Sequence, residues 1–272
     1  MVQNEAPWFP ATGSRRESAV NPVGFDFKGP HQGTPQGRLK AVRGVVFDFD
    51  GTLVATRIDF LGMRQAIAAL IQRWRLDPAL PEQHRYVLEM VAAGRQALQA
   101  DANSSAAFAR EAMDIIETYE MQTCDHAAPI PGAVETLVQL AAKGYRVGII
   151  TRNGLKGVTA ITSRHPLPHD VLLTREDVAQ VKPHPEHLLT AMRALDLPPS
   201  QTLMVGDHPT DVVCGKGAGA LSAGVSRDDV RLAELALAGA DFLISTVAEL
   251  LPMLNGGTSP EYERDRRPKP AL

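Results

Sequence analysis

The amino-acid sequence predicts an α/β protein with a doubly wound parallel sheet as its core and an all-α domain inserted into that core. Short apolar runs alternate along the chain with segments whose apolar residues repeat at helical spacing. One long segment after the first apolar run has helical patterns and no strand pattern. Because helices cover both faces of a parallel sheet, continuous apolar runs of this kind are what its strands should look like.

Six short segments are interpreted as strands, the first of which is a continuous apolar run that ends at Asp48. The predicted strands span residues 42–48, 145–151, 170–174, 202–206, 221–225 and 240–244. Helical patterns cover residues 131–143 and 186–196, and Gly144 is a stop signal directly after the first of them. In such a sheet, functional residues are expected at the carboxyl ends of the strands.

The segment that interrupts this alternation covers residues 56–127 and has helical patterns at 60–74, 82–99 and 106–122. It is interpreted as a helical cap domain, with the core divided into residues 41–55 and 128–254. An insertion at the carboxyl end of a strand is expected to lie over the active site. There it would exclude water and select the substrate.

The two ends of the chain have a different composition. Residues 1–40 contain five prolines and five glycines without sustained periodicity, which predicts a flexible arm. Residues 255–272 are rich in glycine, proline and charge, and are interpreted as a tail. The arm has no apolar segment of the kind that a secretory signal needs, which favours a cytoplasmic location.

Composition excludes several classes of partner. A net charge of −3 and an aromatic content of 5% argue against a nucleic-acid-binding protein. No apolar run reaches the roughly 18 residues of a membrane span, so no membrane association is expected. Cys124 and Cys214 form no CxxC pair, which fits a reducing compartment. The expected partner is a small molecule.

Asp48 ends the first predicted strand, and Asp50 follows it after one intervening residue. Residues i and i+2 of a strand point to the same face, so continued strand geometry would direct both carboxylates into one site. Two negative charges at such a short distance repel each other. They require a divalent metal ion, a division of acid and base roles, or both. A calcium loop is disfavoured, because residues 53–55 are apolar where further oxygen ligands should stand.

Polar residues also follow other elements of the pattern. Thr151, Arg152 and Asn153 stand at the end of the second strand, and a lysine, Lys182, precedes a predicted helix. Residues 207–211 follow the fourth strand and begin and end with aspartate. Each group alone is typical of a turn, a helix cap or a solvated surface. Their order on one alternating pattern instead indicates a single site.

The segments FDFDGTLV (47–54), IITRN (149–153), VKPHPEHLL (181–189) and VGDHPTD (205–211) resemble, in this order, the four motifs of the haloacid dehalogenase superfamily. The resemblance covers about residues 41–254. The helical insertion is similar to the cap of the phosphoglycolate phosphatase-like branch. The resemblance therefore implies a Rossmann-like core with a helical cap.

The resemblance also implies catalytic roles. Asp48 would attack phosphorus and form an aspartyl-phosphate. Asp50 would protonate the leaving oxygen as a general acid and later activate water as a base. Thr151 would hydrogen-bond the transferring phosphoryl group. Lys182 would neutralise charge on the phosphoryl oxygens and on Asp48.

A Mg²⁺ ion is the cofactor that the resemblance implies. Asp207 would hold it together with Asp48 and the backbone carbonyl of Asp50, and Asp211 would support it directly or through water. Mg²⁺ suits such a site because it prefers oxygen ligands, keeps several waters and bridges phosphate.

The chain departs from the commonest motif pattern at two positions. Arg152 follows Thr151 where asparagine is common, and Asn153 comes one position later. Arg152 is interpreted either as a contact to a second anionic group of the substrate or as a solvent-facing residue. His208 stands where serine or threonine is frequent, and is interpreted as tuning or capping the metal loop.

The predicted function is Mg²⁺-dependent hydrolysis of a small phosphorylated metabolite, with 2-phosphoglycolate as the named candidate, by a monomer or homodimer. Dehalogenases of the superfamily usually lack the second aspartate, which is present here as Asp50. Phosphonate-cleaving relatives use a cap lysine, whereas residues 55–128 contain seven arginines and no lysine. A sugar-phosphate mutase shares all four motifs and stays open. Asp50 and the cap disfavour a non-hydrolysing signalling or scaffold protein.

Overall fold

The structure, a computed structural model, describes residues 34–256, and the chain divides into two units. The core unit contains residues 34–53, 130–152 and 167–256, and the helical unit contains residues 54–129 and 153–166. Most of the predicted N-terminal arm (residues 1–33) and of the predicted tail (residues 257–272) lies outside the described residues.

The described residues contain eight strands, which are numbered in chain order. They are β1 (Gly44–Asp48), β2 (Val54–Ala55), β3 (Ala128–Pro129), β4 (Arg146–Ile150), β5 (Val171–Leu173), β6 (Thr202–Gly206), β7 (Leu221–Val225) and β8 (Phe242–Ile244).

Eleven α-helices lie in the same part of the chain. They are α1 (Pro35–Leu39), α2 (Phe60–Arg73), α3 (Leu80–Gln83), α4 (Val87–Ala97), α5 (Ala102–Cys124), α6 (Ala133–Ala142), α7 (Leu155–Arg164), α8 (Glu186–Leu195), α9 (Pro209–Gly217), α10 (Asp229–Ala238) and α11 (Leu250–Leu254). Short 3₁₀ turns span Arg175–Asp177, Pro199–Gln201 and Val247–Glu249.

Six strands of the core unit form one parallel sheet with the order β5-β4-β1-β6-β7-β8. The chain runs outward from β1 through β4 to β5, and then crosses to the other side of β1 to continue through β6. This reversal is the topological switch point at which open α/β sheets place their ligands. The predicted doubly wound parallel sheet is confirmed.

The centre of the sheet is fully covered. Every residue of β1, β6 and β7 is buried, as the continuous apolar runs predict. On one face, apolar residues of α8 at helical spacing pack against the sheet and α9. The buried residues of this cluster are Val46, Ile150, Leu188, Ala191, Met192, Leu195, Met204, Cys214, Ala218 and Ala220.

The helical unit has a separate core, in which α2, α4 and α5 pack around Phe108. The Phe108 ring is fully buried and meets the Trp74 ring edge to face, with 5.9 Å between ring centroids. Helix α7 packs against α5, where the Cys124 thiol donates a hydrogen bond to the Gly157 carbonyl at 3.6 Å. Strands β2 and β3 pair antiparallel in this unit.

The helix predicted over residues 82–99 is wrong in one respect, because it is two helices. His84 is extended between α3 and α4. Helix α4 begins at Val87, after the N-cap residue Tyr86, whose N–H donates to the Glu89 carboxylate at 3.3 Å. The helix predicted over residues 106–122 is longer and starts as α5 behind the capping carboxylate of Asp101.

Several helices were not predicted. α1 lies within the predicted arm, and α7, α9 and α10 lie in segments for which no helix was predicted. α9 has the sequence PTDVVCGKG and its two glycines leave little apolar periodicity to detect. The helix is instead stabilised by tertiary packing, since six residues of α9 are buried.

The packing of the helical unit predicts opposite effects for two glycine-to-alanine changes. Alanine in a helix is favoured over glycine by about 1 kcal/mol. At Gly94 in α4, however, an added Cβ would collide with the Phe108 ring, and overpacking costs about 1–3 kcal/mol. At Gly157 in α7 the nearest atom would be the Glu120 Cβ at 3.6 Å, an ordinary contact.

Urea unfolding is therefore expected to show Gly94→Ala less stable than wild type and Gly157→Ala equally or more stable. Adding Phe108→Leu to Gly94→Ala should remove part of the clash. Equal effects of the two single changes would contradict this packing.

Candidate active site

Three adjacent strands, β4, β1 and β6, end at one edge of the sheet. Asp48 is the last residue of β1, Thr151 directly follows β4, and Asp207 directly follows β6. Register makes these ends level, because Asp48 pairs with Ile150 and Phe47 pairs with Val205. Parallel pairing thus brings together polar residues that are far apart in the sequence.

Lys182 lies in the turn that precedes α8, as its position before the predicted helix indicates. Its side chain is 2% exposed, and its Nζ donates a hydrogen bond to Asp48 Oδ1. The same Nζ lies 2.7 Å from Asp211 Oδ1. Burial alone would lower the pKa of Lys182, but the carboxylates of Asp211 and Asp48 outweigh it and raise that pKa. Lys182 is therefore a fixed cation.

Three carboxylates gather beside this ammonium group. One oxygen atom from each of Asp48, Asp207 and Asp211 lies within 4.8 Å of the other two. Burial and then the charges of Asp48, Asp211 and Asp50 raise the pKa of half-buried Asp207 well above its usual value. Burial also raises the pKa of Asp211 to about 6, although Lys182 opposes the change. The cluster has more negative charge than Lys182 can neutralise.

These residues fit a hard divalent cation such as Mg²⁺. The donor set consists of oxygen atoms alone, which is the preference of Mg²⁺. Asp211 Oδ1 is buried and makes no hydrogen bond of acceptable geometry, despite its close approach to Lys182. A cation would also keep Asp207 and Asp211 ionised against the repulsion that raises their pKa values. The cluster does not include the carboxylate of Asp50, for which only the backbone carbonyl was predicted as a ligand.

Two glycines allow the carboxylates to take these positions. Gly51 has a positive φ of 84°, and an added Cβ there would collide with the Asp207 carboxylate. An added Cβ at Gly206 would collide with the Asp211 carboxylate. The Thr52 hydroxyl donates to Asp207 Oδ1 at 3.2 Å and holds this side chain.

His208 caps the amino-terminal end of α9. Its backbone N–H donates to Asp211 Oδ2 at 3.1 Å, and its Nδ1 accepts from the Thr210 N–H at 3.2 Å. This capping box holds the Asp211 side chain back against the loop after β6. His208 thus supports the acidic cluster through the backbone.

The turn after β4 contains the remaining predicted residues. Thr151 is 1% exposed, and its N–H donates to the Leu173 carbonyl at 2.9 Å. The Arg152 carbonyl accepts from Arg175 Nη1 at 3.4 Å. Asn153 belongs to the helical unit, whereas the sequence assigned it to the core.

A buried carboxylate in the helical unit holds the residue that follows Asn153. The Gly154 N–H donates to Glu120 Oε2 at 3.2 Å, directly before α7 begins. Glu120 is 5% exposed and lies on α5. The sequence analysis missed it, since a glutamate in a long amphipathic helix has no local signal of burial.

His187 is a second residue that the sequence analysis missed. It is fully buried in the first turn of α8, and neither ring nitrogen has a hydrogen bond of acceptable geometry. Burial, and then the charge of Lys182, lower its pKa to about 3, although the Leu173 carbonyl favours the protonated ring. Its only signal in the sequence is a polar residue at the start of an apolar helical face.

Comparisons with known proteins agree with this arrangement. Residues 45–225 match a family model described as haloacid dehalogenase-like hydrolase. The pyrophosphatase PpaX of Bacillus cereus (strain Q1) is 30% identical over 222 residues, which are 79% of this chain and 97% of that protein.

Solved structures have the same fold at lower identity. CbbY from Rhodobacter sphaeroides in complex with phosphate has a TM-score of 0.54 and 23% identity, covering 79% of this chain and 99% of its own. A hydrolase from Pseudomonas syringae has a TM-score of 0.55 and 21% identity, covering 78% and 98%.

Mg²⁺ is expected to raise the Tm of the metal-free protein, because a divalent cation relieves the repulsion among Asp48, Asp207 and Asp211. A ligand at 100 times its Kd stabilises a protein by about 2.7 kcal/mol. Asp207→Asn removes the charge of one of the three carboxylates and should abolish most of the shift. Asp196→Asn, an exposed residue at the end of α8, is the control and should keep it.

The measurement is thermal unfolding with increasing MgCl₂ after EDTA treatment. An equal shift in Asp207→Asn and wild type would place the ion elsewhere, and no shift in wild type would count against the metal site.

His187 predicts a pH dependence of stability. The unfolded imidazole titrates near pH 6.5, whereas the folded ring stays neutral down to about 3. Between these values the unfolded state binds the extra proton, so the free energy of unfolding falls as the pH falls. His187→Leu should lose this contribution and show a shallower decline. Urea unfolding of both proteins at several pH values from 7.5 to 4.5 measures the difference, and parallel curves would contradict it.

Proposed function

The chain belongs to the haloacid dehalogenase-like hydrolase family, and on this premise we propose that it is a Mg²⁺-dependent phosphatase of a small phosphorylated metabolite. The observation that carries the proposal is the buried ammonium of Lys182 between Asp48 and Asp211, beside a third carboxylate. A phosphate monoester carries nearly two negative charges at neutral pH. An anionic nucleophile can approach it only where cations are held in place, as Lys182 is.

Asp48 is the proposed nucleophile. Its carboxylate oxygen forms a bond to phosphorus as the bond from phosphorus to the leaving oxygen breaks, and Asp50 gives that oxygen its proton. Asp50 then takes a proton from water, and the water oxygen attacks phosphorus and breaks the bond to Asp48. Inorganic phosphate leaves, and both carboxyl groups return to their first state.

Lys182 and Thr151 would bind the phosphoryl group during both steps. Since Lys182 is buried and keeps its proton, its charge acts at short range and needs no rearrangement. The Thr151 hydroxyl would orient the phosphoryl oxygens from the end of β4. Arg152 and Asn153 are proposed as further substrate contacts.

Asp48, Asp207 and Asp211 would hold the Mg²⁺ ion, with the backbone carbonyl of Asp50. When bound, the ion supplies positive charge that allows the nucleophile and the phosphoryl group to meet. The acidic cluster supports this proposal, because its repulsion is unfavourable without a cation.

The substrate is proposed from chemistry and relatives. The first candidate substrate is 2-phosphoglycolate or a similar small metabolite. Inorganic pyrophosphate is a second candidate, because the relative PpaX is a pyrophosphatase. A mutase would return the phosphoryl group to a sugar, so release of inorganic phosphate distinguishes the two activities. We further propose a cytoplasmic monomer or homodimer in which the helical unit serves as the cap. Among the described residues, the helices are too short or too polar to cross a bilayer.

Substitutions of the two aspartates are expected to separate their roles. With p-nitrophenyl phosphate, whose leaving group needs no proton, Asp50→Asn should release a single-turnover burst of nitrophenol and then stall as the phosphoenzyme. Its steady-state rate should fall about 10²–10⁴-fold, the range for loss of general acid–base catalysis. Asp48→Asn should show neither burst nor turnover.

Rapid-quench kinetics and intact-protein mass spectrometry measure the burst and the added phosphoryl group. Asp196→Asn is the matched control and should behave as wild type. Mg²⁺-dependent turnover by Asp48→Asn would contradict the covalent mechanism. Stable phosphorylation of the wild type without turnover would favour a signalling protein.

A further inference from the structure

We propose that Arg175 positions the turn after β4, so that Arg152 in this turn binds a second anionic group of the substrate. The inference rests on the proposed phosphatase function. It restricts the substrate class to phosphate compounds that carry another negative group, a carboxylate or a second phosphate.

Arg175 is buried although it carries a full charge. Its side chain is 8% exposed, and it extends from the 3₁₀ turn that follows β5. The base of this turn is fixed by Thr174, whose N–H and hydroxyl donate to Asp177 Oδ2 at 2.7 and 2.8 Å. Charged side chains are rarely this buried unless they have a specific partner. Arg175 has two such partners, because its Nε pairs with Glu176 Oε1 at 3.3 Å and its Nη1 donates to the Arg152 carbonyl.

This contact continues the pairing of two strands beyond their ends. The Thr151 N–H donates to the Leu173 carbonyl, and the registered pairing of β4 with β5 ends at Ile150 and Leu173. One residue later, Arg175 Nη1 donates to the Arg152 carbonyl. The backbone groups of Thr151 and Arg152 are thus both hydrogen-bonded to residues at or just after the end of β5. These contacts fix the orientation of the backbone at Arg152.

The groups at the ends of β4 and β5 include both signs of charge. Arg175 Nε forms an ion pair with Glu176 Oε1 at 3.3 Å, and Asp177 accepts hydrogen bonds from Thr174. The Glu176 side chain is 49% exposed, so solvent screens this pair.

Two positive charges reach the same buried imidazole on this side. Lys182 and Arg152 lower the pKa of His187 whereas Asp177 raises it, so all three charges lie within electrostatic range of its ring. Lys182 already faces Asp48, where the transferring phosphoryl group would bind. A guanidinium one residue after Thr151 adds a planar donor that suits a carboxylate or phosphate. A second anionic group would match it.

The experiment compares matched substrates that differ in this group. 2-Phosphoglycolate and 2-hydroxyethyl phosphate differ in a carboxylate, and pyrophosphate and methyl phosphate differ in a second phosphate. Arg152→Gln should lower the ratio of kcat/KM between the charged and the uncharged member of a pair about tenfold, mostly through a higher KM. A tenfold change corresponds to the loss of one charged hydrogen bond. The pair that responds identifies the second group.

Arg175 is tested through its effect on Arg152. Arg175→Gln should reduce the same ratio, Arg175→Lys should reduce it less, and the double variant should lose no more than Arg152→Gln alone. Arg193→Gln, an exposed arginine of α8, is the control and should leave the ratio unchanged. Thermal unfolding checks that each variant is folded. If Arg175→Gln does not fold, the effect of Arg175→Lys on the same ratio tests the positioning role of Arg175.

Equal losses on both members of each pair, or additive losses in the double variant, would overturn the inference while the phosphatase proposal stands. A wild-type enzyme that prefers the uncharged substrates would overturn it as well. Failure of the wild type on every phosphate compound, p-nitrophenyl phosphate included, would instead refute the proposed function, and this inference would fall with it.

Discussion

The site depends on one buried ammonium group and the negative charge around it. A parallel sheet brings the carboxylates of β1 and β6 to the same edge, where they repel each other. Lys182 pairs with Asp48 and Asp211 and offsets part of this repulsion, while Asp207 stays in an environment that disfavours its charged form. A buried ion pair costs desolvation energy, so this arrangement is better explained by binding than by stability. The imbalance that remains is the feature of the site that a divalent cation would offset.

Small residues and helix caps keep these charges in place. Gly51 and Gly206 leave the volume that the carboxylates of Asp207 and Asp211 occupy. The capping box at His208 holds Asp211 against the first turn of α9, and Gly215 of that short helix allows it to pack closely on β6 and β7. The positions of these carboxylates therefore depend on close approach of the backbone at a few glycines.

Much of the fold could be predicted because burial leaves a local pattern. The strands are continuous apolar runs, and Asp48, Thr151 and Asp207 could be placed at one edge because each directly follows such a run. α9 could not be predicted, since small residues form much of its packing surface. The break between α3 and α4 covers residues 84–86, of which His84 and Tyr86 are extended, and no glycine or proline marks it. Arg175 and His187 are polar side chains whose burial is decided by residues distant in sequence. Local periodicity does not contain that information.

The two-residue pairing of β2 with β3 has an evolutionary consequence. Val54 pairs with Pro129 and Ala55 with Ala128, so the segment between them leaves and returns at neighbouring points. The Ile130 N–H also donates to the Leu53 carbonyl at 2.8 Å and continues this closure toward the sheet. Because the entropy of closing a loop grows only slowly with its length, loops within this segment can be lengthened or shortened at a small entropic cost. The whole segment is less easily exchanged, since α5 packs against α7 and Glu120 holds Gly154. Variation is therefore expected to accumulate in the loops between its helices, while the paired ends and the sheet stay the same.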